Sequence, residues 1–518
     1  MANGIEIQTG LAALFVGVGL AVWSYLTPSS SSKDQLKTVP GLPLIGVALE
    51  LAPDKISNFF SACCKKFGKV YQFYAFGTRY IVISDASLMR EILQKRPKTF
   101  RRSTKFEEVF KTTRTGEGLF GAEGQQWSKL RRHNSPSFSK QNVELMLGTI
   151  FDEASQLMER FKDKISANKA VDSLATVAFD SELFALFTQI LIRLSLGNAT
   201  GEAKAYLNSP QFYSDLQQTF FYVSERLLFP FPRFVWKLTP MFKLETAAIA
   251  NSATLTKHTE AIIQQAREAS LFSDNNEDDG SLISRLIRGS SEEKGLTNSE
   301  VSAAVITFLF AGTETTKATF TWVPYFLSLH PDVLSLLREE VDAFFLVNDG
   351  KVKENLSKLI QLPYSTAVAK EILRLVSPAA FLFLEATEPT STKLSNGLEI
   401  FPHDQVTVDF ESCALDEYVF PSSKTFLPSR WLTDDSKQLE LMNASFLVFG
   451  GGARVCPGMH LSIAEFIVCT ALFVHTFDFS LACPKEEIKR IFALPLEQTK
   501  CPLILSFVSV YKFSFAKF

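Results

Sequence analysis

The first strong feature along the chain is an uninterrupted apolar run, GLAALFVGVGLAVWSYL at positions 10–26, without a single charge. It lies just below the ~20 residues that a helix needs to cross a bilayer. Glu6 precedes it, no lysine or arginine does, and no A-x-A pattern follows, so residues 1–27 read as a retained membrane anchor rather than a cleaved leader. Trp23 and Tyr25 suit the membrane interface, and Lys33 and Lys37 on the C-terminal side orient the rest of the chain toward the cytoplasm. SSSSKDQLKTVPGLPLIG follows, a serine tract and then a Pro/Gly stretch that regular helix cannot hold. This predicts a hinge over 28–49 and a body over 50–518.

In the body the period changes. KVYQFYAFGTRYIVISD at 69–85 alternates apolar and polar positions around a Gly-Thr turn, which predicts a two-strand hairpin. After position 125 helical spacing dominates. The clearest helix starts at Thr297, whose spacing from Glu300 is that of a capping box, and runs through SEVSAAVITFLFAGTETTKATFTWV until Pro324 limits it. Strand-like pieces return at 398–410 and 503–517, the acidic stretch SDNNEDDG at 273–280 reads as a solvated loop, and no internal repeat is visible. The expectation is a mainly α fold with a minor β-sheet.

Composition narrows the function classes. In 518 residues, 46% are hydrophobic and 21% charged with a net charge of -2, which points away from nucleic acid and strongly acidic partners. Forty-seven phenylalanines exceed ordinary usage, and some of so many rigid apolar surfaces can line a large apolar cavity. Seven cysteines without a secretory framework fit a reducing compartment.

One local conflict stands inside the helix that begins at Thr297. AGTETT at 311–316 sets Gly312, Glu314 and three threonines into an apolar stretch, where glycine and threonine lower helix propensity and threonine hydroxyls bond back to the preceding turn. An ordinary polar patch with bonded hydroxyls explains it, and so does a functional site, because violations of local rules tend to fall at such sites.

A second unusual stretch is FGGGARVCPG at 449–458. A phosphate loop would place Lys and then Ser or Thr after the last glycine, and the dinucleotide fingerprint needs a preceding strand and a later acid; neither is present. Cys456 is therefore the chemical centre. Alone, it fits an inert buried thiol. Pro457 fits the first position of a following apolar helix, and the positive end of that helix would favour thiolate. The glycines leave room for a flat group, and Arg454 suits an anion beside it. These are the requirements of haem ligated by cysteine. Zinc is disfavoured because the cysteines at 63, 64, 413, 456, 469, 483 and 501 show no paired spacing, and His460 supplies at best a second ligand. Elsewhere, Glu371 and Arg374 share a helical face at i,i+3, and Trp127 and Arg131 at i,i+4 present two donors suited to one carboxylate.

Trp127-x-x-x-Arg131, Ala311-Gly312-x-Glu314-Thr315-Thr316, Glu371-x-x-Arg374, FLPSRW and Phe449-x-x-Gly452-x-Arg454-x-Cys456-x-Gly458 occur in that order. From about residue 40 on, the chain resembles the cytochrome P-450 haem-thiolate monooxygenases of the membrane-anchored microsomal type. The resemblance implies the cytochrome P-450 fold, with haem b between the long helix and the cysteine loop. Cys456 would be the axial iron ligand, and Trp127, Arg131 and Arg454 would bind the propionates. Phe449, Gly452 and Gly458 would shape the loop on the cofactor. Glu371, Arg374 and Arg430 would brace that loop, while Thr315 and Glu314 would manage protons, with Gly312 leaving space against the haem.

The implied reaction is insertion of one oxygen atom into an apolar fatty acid, sterol, terpenoid or xenobiotic. Electrons would come from NADPH through a diflavin reductase, with cytochrome b5 as a further partner, on the cytoplasmic side of the endoplasmic reticulum. Two departures from the family pattern stand out. Ser429 replaces the acid of Pro-Glu-Arg, and Asp416 follows Ala414 and Leu415 where a histidine is usual. Two other readings remain: a haem-thiolate enzyme rearranging lipid hydroperoxides, and a non-catalytic membrane-tethered haem-binding protein. Phe106, Phe110, Phe308, Ala311 and SPAAFLF are the expected cavity walls, residues 221–236 a second membrane contact, and Lys129, Arg132 and Lys140 a basic docking patch.

Overall fold

The computed structural model describes residues 36–507, apart from 53–54, 114, 168–174, 198–204, 230–232, 273–280, 289–294, 388, 489, 492–496 and 499–502. The anchor at 1–27, the acidic loop and the chain beyond 507 lie outside the described residues.

The alternating segment at 69–85 forms the expected hairpin of β1 (Val70–Ala75) and β2 (Thr78–Ile83). Its turn is Phe76–Gly77, with φ of 49° and 76°, and Thr78 already pairs with Ala75. Two left-handed residues give the twist that a two-residue hairpin needs. β3 (Phe100–Arg102), β4 (Phe381–Ala386) and β5 (Gln405–Asp409) complete a five-stranded sheet in the order β1-β2-β5-β4-β3, with β2 and β5 parallel. Strands gathered from positions 70 to 409 therefore form one layer. A second sheet joins Ala175–Val177, Leu503–Phe507 and Phe477–Leu481.

The Pro/Gly stretch read as part of a hinge is packed on this sheet. Val39 N donates to Gln72 O at 2.8 Å and Val47 N to Tyr74 O at 3.0 Å, while Val39, Val47 and Ala48 are buried. Gly46, at φ +61°, approaches so closely that a Cβ would stand 1.8 Å from Tyr74 O. From Thr38 on, the segment belongs to the body, which confines any hinge to residues upstream.

The helices that position the site are α1 (Ala86–Gln94), α2 (Thr104–Thr112), α3 (Gly124–Asn134), α4 (Lys140–Ala167), α5 (Phe179–Leu196), α6 (Pro210–Leu228), α7 (Phe242–Phe272), α8 (Asn298–Phe320), α9 (Pro363–Leu375) and α10 (Met459–Thr476). α8 begins as its capping box predicts: Thr297 Oγ1 accepts from Glu300 N at 3.2 Å, and Glu300 Oε2 accepts from Thr297 N at 2.8 Å. It stops at Phe320, four residues before Pro324, whose ring would strike that carbonyl in a continuous helix. α8 runs through the core against α5, α7 and α10, so most of its side chains are buried.

α10 is the one helix among the described residues long and apolar enough to cross a membrane, with a mean hydropathy of 1.5 over 18 residues. It packs instead against α4 and α8 in the core. Cysteine spacing signalled no disulfide, yet Cys483 is disulfide-bonded; Cys63, Cys64, Cys413, Cys456 and Cys469 are free.

Candidate active site

The cysteine loop arches from Phe449 to Gly458 and closes on itself, with Cys456 N donating to Phe449 O at 2.9 Å. α10 starts at Met459 rather than Pro457, because Pro457 and Gly458 form the turn that admits the chain to the helix. Cys456 thus stands three residues before the first helical residue. Cys456 is exposed, unlike the buried Cys63, Cys413 and Cys469. Burial pushes the thiol up, while the Gly458 N–H and the Arg131 guanidinium act in the opposite direction. A metal cation at the sulfur would reverse that balance outright.

Gly452 is fixed by contact with α1. At φ +62°, its Cβ would lie 2.3 Å from Leu93 O, so no larger residue lets the loop approach the end of that helix.

Four guanidinium groups gather beside the loop. Arg454 donates to Ala122 O at 2.8 Å, pairs with Glu123 and lies 4.4 Å from the Trp127 ring centroid. Arg102 stacks between Phe106 and Phe120 at 4.4 and 4.2 Å. Arg96 is buried nearby, and Arg131, on α3 one turn after Trp127, lies within the field of Cys456. Nε and Nη1 of Arg454, Nε and Nη2 of Arg96, and Nε of Arg102 are buried without hydrogen-bond partners. Burial lowers Arg96 and Arg454 to about 10 and Arg102 well below its ordinary value, with Glu123 opposing in each case. Such unpaired donors are costly, and buried charge persists where an anion completes it. Arg96, Arg102 and Glu123 carry no motif and escaped the sequence reading.

Within α8, Phe308, Ala311, Gly312 and Thr315 are half-buried, whereas the rest of 301–320 is buried. Thr315 Oγ1 donates to Ala311 O at 2.6 Å, the back-bond expected of a helical threonine. Gly312 does not face the loop. A Cβ there would stand 2.7 Å from Leu191 Cδ1, so this glycine serves the close packing of α8 on α5. Glu314 is buried and bound to Lys317 at 2.8 Å, which also reaches Asp180 at the start of α5 at 3.3 Å. Thr316 donates to Glu465 on α10 at 3.2 Å. Burial raises the Glu465 carboxyl to about 8, opposed by Thr316. A lone acid in the apolar sequence LSIAEFIVC was its visible signal.

Glu371 is fully buried. It receives Arg374 Nη2 at 2.7 Å, Arg374 Nε at 3.0 Å, Arg430 Nε at 3.0 Å, Trp431 Nε1 at 2.9 Å and Leu427 N at 3.0 Å. Arg430 also donates to the carbonyls of Pro421, Ser422 and Thr425, which hold it where Ser429, exposed, offers no charge. Asp416 pairs with Lys69. Of the expected cavity walls, Phe308 and Ala311 keep accessible surface, as do Leu382 and Phe383, whereas Phe110 is sealed between Phe120 and Phe310. Lys129 is not a free surface cation: both oxygens of Glu300 hold it, at 2.7 and 2.8 Å.

The cytochrome P450 family model matches residues 37–503. The chain belongs to the cytochrome P450 family. It is similar to the putative cytochrome P450 CYP13A7 of Caenorhabditis elegans, 27% identical over 90% of this chain and 92% of that protein. Cytochrome P450 4A10 of Mus musculus is 26% identical over 80% and 79% of the two chains. A bifunctional cytochrome P450/NADPH–P450 reductase of Fusarium oxysporum is 26% identical over 89% of this chain and 41% of its own length. In structure, the retinoic acid-bound cyanobacterial CYP120A1 matches with a TM-score of 0.72 at 19% identity, covering 91% of this chain and 99% of that one. The protein is accordingly a haem monooxygenase with the P450 fold. The accessible cysteine, the glycine cradle against α1 and the unpaired guanidinium donors fit that cofactor.

Proposed function

We propose that the protein is a haem-thiolate monooxygenase inserting one oxygen atom into an apolar small molecule, with Cys456 as the iron ligand and electrons drawn from NADPH through a diflavin reductase. The observation that carries this reading is the exposed Cys456 together with buried guanidinium groups that keep unpartnered N–H donors. Haem, when bound, supplies activation of dioxygen, favoured by thiolate donation. The chain supplies the rest. Arg131, Arg454 and Trp127 would hold the cofactor's carboxylates, while Glu371, Arg374 and Arg430 hold the segment between Ala414 and Trp431 that precedes the loop. Thr315 keeps its hydroxyl at the cavity wall, and Glu314, through Lys317 and half-buried Asp180, offers protons a charged route from solvent. Phe308 and Ala311, half-buried on α8, give the substrate an apolar surface.

The electron source is supported by the Fusarium relative, whose name joins the two activities in one chain. Exposed Phe221, Phe234 and Leu238 support a second membrane contact near residues 221–236, beside an N-terminal anchor that faces the catalytic body toward the cytoplasm. Cytochrome b5 and the endoplasmic reticulum belong to the same reading. Thr315→Ala, assayed with NADPH and reductase, should keep haem and NADPH consumption while product per NADPH falls at least ~10-fold and peroxide rises. An unchanged yield would make Thr315 a packing residue.

A further inference from the structure

Arg96 follows α1 and its capping residue Lys95, beside the point where Leu93 O closes on Gly452. It is 5% exposed, and its Nε and Nη2 are buried without partners. The charges acting on this corner are Arg102, Arg454 and Glu123. Glu123 is already engaged, accepting from Arg102 N at 3.3 Å and pairing with Arg454. Three guanidinium groups thus act on one carboxylate, and Arg131 adds a fourth positive charge beside Arg454. Asp416, on the far side, is an acid committed to Lys69 and supplies no donor. A buried planar fork with two free N–H groups is complemented by a carboxylate, which it can grip with two parallel bonds. The cofactor of this family carries two propionate carboxylates, and the charge surplus beside the cysteine loop matches them.

We infer that Arg96, placed by the end of α1, is a further anchor for a haem propionate and shares that duty with Arg102, Arg131 and Arg454. The inference rests on the haem reading of the site. It also gives the close approach of α1 to Gly452 a purpose, since the same contact delivers Arg96 to the cofactor's edge. α1 then becomes part of the cofactor site although its sequence bears no motif.

The test compares wild type, Arg96→Gln and Arg96→Lys holoenzymes, loaded either with iron protoporphyrin IX or with its dimethyl ester, in which the propionate charges are removed. Haem loss is followed by transfer to excess apomyoglobin. With native haem, Arg96→Gln should lose cofactor about 10- to 100-fold faster than wild type, the range expected for a lost charge-assisted hydrogen bond. Arg96→Lys, which keeps charge but not the fork, should lie between, about threefold above wild type. With the ester the three rates should converge.

Equal rates with native haem would overturn the assignment. So would an Arg96→Gln effect that persists undiminished with the ester, since that marks a packing role. Should Arg96→Gln fail to fold, the native-to-ester comparison of Arg96→Lys decides by the same criterion. Failure of wild type to take up haem would instead refute the cofactor reading, and this inference with it.

Discussion

Glu465 shows at the scale of one residue how burial becomes a measurable property. Its carboxyl sits on α10 with Oε1 unpartnered, Thr316 of α8 bound to Oε2 and Cys469 one turn on. Burial raises it from 4.5 to about 8. The sign follows from which state holds the proton more tightly. Below pH ~4.5 both states are protonated and nothing is lost. Between there and pH ~8 the unfolded chain ionises while the folded chain keeps its proton, so stability falls as pH rises and levels off above pH ~8. At ~1.36 kcal/mol for each tenfold in proton affinity, the loss is on the order of 5 kcal/mol. Urea unfolding of wild type and Glu465→Gln at pH 5 and pH 8.5 should show wild type losing several kcal/mol more than the variant over that interval. Identical losses would mean that Glu465 titrates normally. Asp409, raised by burial to about 7, is common to both proteins and cancels in the comparison.

Between elements, the two glycines singled out by sequence prove to have different duties. Gly452 meets backbone, and at positive φ; an alanine there must move either the cysteine loop or α1. Gly312 meets only the end of the Leu191 side chain, which can turn aside, and alanine recovers ~0.5–1 kcal/mol of helix propensity. Gly452→Ala should therefore cost ~1–3 kcal/mol and cut bound haem per protein severalfold, whereas Gly312→Ala should stay within ~1 kcal/mol of wild type with full haem content. Thermal unfolding and haem absorbance per protein check both; a Gly312→Ala protein lacking haem would restore a role for that glycine at the cofactor.

This contrast also marks what a single sequence carries. The capping box of α8, the β1–β2 hairpin, the cysteine loop and the Glu371–Arg374 pair are local patterns, and each was legible. Where Gly312 points, what Lys129 binds and why Arg96 matters depend on which distant element packs there, and no local pattern records that. The Pro/Gly segment at 38–49 was misread for the same reason, because its partner, β1, is chosen by tertiary pairing rather than by its own composition.

At the scale of the molecule, α8 and α10 are tied to each other through the core by Thr316 and Glu465, and sequence-distant arginines converge on the loop that precedes α10. Glu371 holds Arg374 and Arg430, which in turn bind backbone carbonyls between Ala414 and Thr425; removing one partner of such a buried group costs ~3–5 kcal/mol. The arrangement suits the role proposed for Cys456, whose thiol is pushed up by burial and would become a thiolate only with a cation at the sulfur. Lys129, fixed to Glu300, braces α3 against the start of α8, which leaves Arg132 and Lys140, both exposed, as the remaining cations of the expected docking face. The most direct measurement is the ferrous carbon monoxide difference spectrum of haem-loaded wild type and Cys456→His. Wild type should show the strongly red-shifted Soret band of a thiolate-ligated haem, and Cys456→His should bind haem yet lack that band. A wild type without the band, or a histidine variant that retains it, would contradict the assignment of Cys456 as the iron ligand.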